Sequence, residues 1–251
     1  MRRLTSYLVV FLVLPGGVAA QDLVHRVAGL NDASLRLSFA ARPGVCGNGG
    51  NGITIMDNED SEDWVGDCER GPVRVAFRVR SGRVIQASTH VGGHWRTPAP
   101  GTTDLGTLPA REAASALLAL AEHADDDADD LIVAATLADS ATVWPTLIKL
   151  ARDTKLATET RRQAVFWLGQ AAGSAATRGL DSIARDTTGD LEVRKHAIFA
   201  LSQRPASEAV PVLIDIARTN RHAELRKTAL FWLGQSEDPR AIALFEEILR
   251  Q

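Results

Sequence analysis

Glu159-Thr-Arg161-Arg-Gln-Ala164-Val-Phe166-Trp-Leu168-Gly-Gln170, Glu192-Val-Arg194-Lys-His-Ala197-Ile-Phe199-Ala-Leu201-Ser-Gln203 and Glu224-Leu-Arg226-Lys-Thr-Ala229-Leu-Phe231-Trp-Leu233-Gly-Gln235 superimpose residue for residue, at spacings of 33 and then 32. A second motif keeps step with them: Leu147-Ile-Lys-Leu150-Ala151-Arg152, Leu180-Asp-Ser-Ile183-Ala184-Arg185, Leu213-Ile-Asp-Ile216-Ala217-Arg218 and Phe245-Glu-Glu-Ile248-Leu249-Arg250. Agreement at two registers over four units describes a stack of helix pairs, none of which buries its apolar face alone. In the third unit Val193, Ala197, Ala200 and Leu201 fall on one helical stripe, and the small alanines let paired helices approach closely. Arg161, Arg194 and Arg226 flank that stripe, within reach of a carbonyl or carboxylate of the neighbouring repeat, whereas Lys195 points away. The glutamate opening each motif suits the positive end of a helix. Gly169, Gly234 and the Ser202 substitute mark where the first helix of each pair ends.

The period, the Arg three residues before an Ala and the Ala-x-x-x-Leu-Gly core resemble the short HEAT repeat, the variety also seen in proteins similar to phycobilin lyases. The resemblance covers about residues 128–250, roughly half of the chain that follows residue 20. It implies a right-handed superhelical solenoid with repeats at about 128–153, 158–186, 191–219 and 223–251. For HEAT arrays it implies protein–protein interaction, with no particular partner. The first unit fits poorly: Leu137 aligns with Leu168, but the Glu and Arg are missing, as expected of a terminal repeat that caps the stack.

Upstream of the repeats the period is two. Leu35-Arg36-Leu37-Ser38-Phe39 alternates, and Val73 to Arg80 alternates more clearly, with Arg74, Arg78 and Arg80 on its outer face. Ser81-Gly82 makes a turn, and Arg83 to Val91 returns as a hairpin strand with Ile85, Ala87, Thr89 and Val91 on one face. These signals predict a small β domain over residues 21–97. Pro98, Pro100 and Gly101 mark a linker over 98–107, and a helical domain occupies 108–251. Leu108 to His123 is helical, with Pro109 in its first turn, and Asp125 to Asp130 forms a solvated acidic start to the next helix. The expected fold class is α+β by domain: a disulfide-stapled β domain followed by an all-α solenoid.

Met-Arg-Arg, an apolar run from Leu4 to Leu14 and small residues at Val18 and Ala20 fit a secretory signal over residues 1–20, with Gln21 first after the cut. The run is too short to span a bilayer, so an exported, periplasmic or extracellular protein is expected. Removing residues 1–20 takes Arg2 and Arg3 from the 28 basic residues and leaves all 31 acidic ones, a net charge of −5. That argues against nucleic acid as a partner. Cys46 and Cys68, the only cysteines, lie 22 positions apart. In an oxidising compartment they read as a disulfide that stabilises by roughly 3 kcal/mol.

Phe166, Phe199 and Phe231 lie off the buried stripe, on the same flank as Gln170, Gln203 and Gln235. This ladder either grips an extended partner chain or packs between repeats, with the amides satisfying loop backbone. Packing is expected, since an inner repeat has neighbours on both sides. Asp57, Glu59, Asp60, Glu62, Asp63 and Asp67 are dense enough to suggest Ca²⁺, but they lack the order of an EF-hand and read as a solvated loop over 57–67. His90 and His94 with the two cysteines make a weak case for zinc, lacking close Cys spacing. Gly47 to Gly52 lacks the Gly-Lys-Ser/Thr ending of a phosphate loop, and no Gly-x-Ser-x-Gly or His-Glu-x-x-His occurs. No catalytic residue and no cofactor are therefore expected. The sequence reads as an exported, non-catalytic protein-binding or scaffolding protein. The alternatives are an enzyme or chromophore-handling protein related to the bilin lyases, and a calcium- or ligand-responsive envelope sensor.

Overall fold

The structure, a computed structural model, describes residues 20–50, 52–55, 68–95, 97–124, 128–171 and 173–250. A short helix, α1 (Ala20–Ala28), leads into β1 (Asp32–Phe39), β2 (Val45–Gly47), β3 (Ile53–Ile55), β4 (Val73–Arg80), β5 (Arg83–Val91) and β6 (Thr102–Thr107). Among the described residues nine helices follow: α2 (Ala110–Ala121), α3 (Ala128–Thr136), α4 (Trp144–Arg152), α5 (Thr158–Gly169), α6 (Ser174–Ala184), α7 (Leu191–Ser202), α8 (Ala206–Thr219), α9 (Ala223–Gly234) and α10 (Pro239–Leu249). The fold is α+β, a small sheet followed by a HEAT-like helical repeat.

The main sheet has the order β5-β4-β1-β6, with β1 antiparallel to β4 and parallel to β6, and β4 antiparallel to β5. Ser81 and Gly82 close the β4–β5 hairpin with φ of 50° and 78°, the two positive values that a two-residue turn needs to match strand twist. Only glycine fits at position 82, because a Cβ there would lie 2.7 Å from the carbonyl oxygen of Ala28.

Two expectations are corrected. Residues 98–107 are not simply a linker: Thr102–Thr107 is strand β6, registered Ser34↔Thr102 and Arg36↔Asp104. Its side chains are half-buried or exposed because it is an edge strand, so it carries no apolar alternation. In β5 it is Val84, 2% exposed, that points inward, and Ile85 is only half-buried. The pairing runs Arg78↔Gln86 and then Val79↔Val84, so Ile85 is the extra residue of a bulge and reverses the alternation.

The inner face of the sheet carries Leu35, Leu37, Phe39, Val73, Val75, Phe77 and Val79, all buried. α3 packs on β4 and β5, α2 on β5, and α1 on α2. Thr89 Oγ1 donates to the Asp130 carbonyl at 3.0 Å, Arg42 N to Leu137 O at 2.8 Å and Asp139 N to Ala40 O at 3.0 Å. One apolar cluster therefore runs from the sheet through α2 and α3 into the repeats. Beyond them α3, α5, α7 and α9 pack in succession as one layer, and α4, α6, α8 and α10 as the other.

Candidate functional site

The first helices of the repeats bring the Arg, Phe and Gln ladders together. Arg194 is 7% exposed, and its Nε donates to the Ala184 carbonyl at the end of α6, 3.1 Å away. Arg226 Nη1 reaches the carbonyls of Asn220 at 2.9 Å and Arg221 at 3.2 Å, just past α8. Both satisfy carbonyls that the preceding repeat's second helix leaves open at its end. Arg161, 6% exposed, instead bonds Thr158 Oγ1 at 3.0 Å and lies 3.8 Å from Asp190 Oδ2, while its buried Nε has no partner among the described residues. Among the described residues Lys195 pairs only with Glu192, three residues before it on the exposed side of α7. Arg194→Ala should therefore destabilise by about 1–3 kcal/mol, because the Ala184 carbonyl is stranded. Lys195→Ala should cost a few tenths, roughly 0.2–0.5 kcal/mol. Urea melts of the two variants check this, and equal midpoints would refute the assigned faces.

The aromatic ladder is less buried than sequence position implies. Phe199 packs on Trp232 of the next repeat, ring centroids 5.0 Å apart, and on His196 of its own helix at 5.4 Å. Phe166 and Phe199 are each half-buried and Phe231 is 58% exposed. Packing between repeats is thus real for Phe199, but it leaves part of each ring in solvent. Trp232, at the position where α7 has Ala200, supplies the ring that meets Phe199 from the next repeat. Burial and the nearby Arg162 guanidinium hold the His196 imidazole below its ordinary range. Protonation thus favours the unfolded chain. The stability contributed by the neutral ring is complete above the unfolded value near 6.5 and is lost as pH falls through the lower folded value. A pH series of thermal melts should show this loss in the wild type and not in His196→Gln.

Gln170, Gln203 and Gln235 follow α5, α7 and α9 and are all exposed. Gln203 Nε2 donates to Ser202 Oγ at 3.2 Å, and among the described residues the amides of Gln170 and Gln235 make no side-chain hydrogen bond. None of the three satisfies loop backbone as expected. Gln170 also lines a cavity of about 320 Å³ with Arg42, Thr136, Trp144 and Trp167. Trp167 Nε1 and Arg42 Nε are buried there without a partner among the described residues, so two donor-only groups border the amide.

Cys46 and Cys68 form the expected disulfide, Cα atoms 5.3 Å apart. That removes the zinc alternative, since both sulfurs are consumed, and His90 Nδ1 lies 2.8 Å from Gly50 O instead. Gly49 and Gly93 stack backbone on backbone, a Cβ on Gly93 falling 2.7 Å from Gly49 Cα, which accounts for the glycine-rich stretch without any phosphate. Asp57, Glu59, Asp60, Glu62, Asp63 and Asp67 lie outside the described residues. Among the described residues no helix is long and apolar enough to cross a membrane.

Sequence reading missed Arg204, which binds five groups from the α7–α8 turn. Its neighbour Gln203 recurs in the other units, but the following position holds Ala171 and Ser236, so no repeat signal marks it. The model of the HEAT repeats family matches residues 186–251, the two repeats α7–α8 and α9–α10. Comparison with curated proteins finds no match. The carboxy-terminal helical repeats are therefore HEAT-like.

Proposed function

We propose that this is an exported, non-catalytic scaffold that binds another protein along the Phe–Gln flank of its repeats. The observation that carries this reading is the row of exposed amides at one position of three successive repeats, none of them bonded to backbone among the described residues, beside rings that are half-buried or exposed. An extended chain satisfies its backbone on amides spaced in this way and its apolar side chains on the rings. HEAT repeats are protein-interaction elements in general, which supports the class of partner and leaves its identity open. Export rests on the sequence pattern of residues 1–20 and is supported by the Cys46–Cys68 disulfide, a bond that persists in oxidising compartments.

The test joins stability to binding. Phe199→Ala should lower stability by about 1–2 kcal/mol, below the roughly 3–5 expected for a fully buried phenylalanine, because the ring is half-exposed. Gln203→Ala should leave the melt unchanged and weaken partner capture. A photo-crosslinker at position 203 should trap a protein from the envelope fraction, and one at Lys195 should not. Equal trapping at both positions would refute the flank. Amino-terminal sequencing of the exported protein should begin at Gln21.

A further inference from the structure

The outer face of the main sheet, opposite the helices, holds a cleft of about 600 Å³, within the size range of small-molecule sites. Strand register arranges its floor. Ala76 on β4 stands between Arg36 of β1 and Ser88 of β5. Two residues away along β4, Arg74 stands beside His90 and Arg78 beside Gln86. Neighbours on one face lie about 5 Å apart across strands and about 7 Å apart along them. The smallest side chain of the floor thus has arginines at three neighbouring positions of the same face, and all three residues line the cleft.

The walls are fixed. Gly49 N donates to Val91 O at 2.9 Å, and the contact of His90 with Gly50 holds the same loop over the sheet. Trp95 stands opposite, with the Arg36 guanidinium 4.9 Å from its ring centroid. Among the described residues no carboxylate lines the cleft. Arg36 has its counter-ion in Asp104 at 2.7 Å, beyond the floor on β6, and Arg78 reaches the exposed Asp32 only at 3.4 Å. Arg74 Nη1 donates to the Gly92 carbonyl, and among the described residues no carboxylate pairs with it. In a chain of net charge −3 this floor therefore gathers positive charge: Arg74 has no carboxylate among the described residues, and the counter-ion of Arg78 is solvent-exposed. An oxyanion above Ala76 offsets that charge, since the guanidinium fork matches carboxylate and phosphate oxygens in pairs.

We infer that this cleft binds a small molecule bearing a carboxylate or phosphate group, seated over Ala76 between Arg74 and Arg78. The volume exceeds that of a bare anion, so the rest of the ligand lies against Trp95 and Pro98, which also line the cleft. The site is separate from the Phe–Gln flank and does not depend on it. Isothermal titration of the full chain with inorganic phosphate, and separately with citrate, at constant ionic strength tests it. Saturable binding of at least one anion is expected. Phosphate alone points to a phosphate ester and citrate alone to an organic acid.

Arg78→Gln, at an exposed position, should weaken that binding about tenfold or more, the scale of one charge-assisted pair, with an unchanged melt. Ala76→Leu should block it by filling the floor while keeping every charge. No saturable binding of either anion would overturn the inference. So would binding that survives both substitutions.

Discussion

Arg204→Ala is expected to destabilise the protein by about 3–5 kcal/mol, the range for removing one partner from a buried charged network. The side chain is 8% exposed. It donates to the carbonyls of Gly169 at 3.1 Å, Ala171 at 2.5 Å and Gly173 at 3.0 Å, and to Thr177 Oγ1 at 3.1 Å. It also pairs with Glu208 at 3.3 Å. One guanidinium thus closes the end of α5, the α5–α6 loop and the start of α8, and alanine leaves three carbonyls without that donor. Arg204→Lys should recover little, because a point ammonium does not span the fork. The bond from Thr177, and then Arg204, hold the Glu208 carboxyl below its ordinary range. Its titration should therefore move upward in Arg204→Ala, and chemical denaturation with an NMR titration of Glu208 reads both effects. A midpoint equal to wild type would show that the loop closes without this residue.

A fragment beginning at residue 108 is expected to lose its cooperative melt altogether. The boundary expected there divides a shared core: Leu131, Ile132, Leu117 and Leu118 are buried in one cluster with Leu35, Phe39, Val75 and Phe77. Each large apolar side chain stripped of its cover forfeits about 1.5–3 kcal/mol. Several together exceed the roughly 5–15 kcal/mol that holds a whole protein folded. The fragment should keep helical circular dichroism, bind a hydrophobic dye and melt gradually. A sharp melt without dye binding would show that the repeats stand alone.

The repeats were legible because the same residues recur in step, and recurrence survives ignorance of what each side chain touches. The β4–β5 hairpin was legible because its alternation and its Ser-Gly turn agree. β6 was not, because Thr-Thr-Asp-Leu-Gly-Thr at a sheet edge has neither alternation nor an apolar face to reveal it. α1 was hidden by its nearness to the signal pattern. Ile85 misled because a bulge reverses a strand's faces and leaves no mark in composition. At the candidate site the sequence aligned Phe166, Phe199 and Phe231 correctly, but how far each ring is covered depends on neighbours such as Trp232 that do not recur at every unit. The arginines beside Ala76 need the pairing of three strands, information no single strand contains.

The shared core also constrains the order in which the protein can be completed. β1 cannot fill both its edges until β6 arrives, with Ser34 waiting for Thr102, and the face formed by Leu35, Leu37 and Phe39 stays open until α2 and α3 follow. During growth from the amino end, the first hundred residues therefore carry an unsheltered apolar sheet. Such a nascent segment is prone to stick to other chains. Folding after the chain is complete suits this topology better than folding as it emerges, and a chaperone's holding time would have to outlast the arrival of α3.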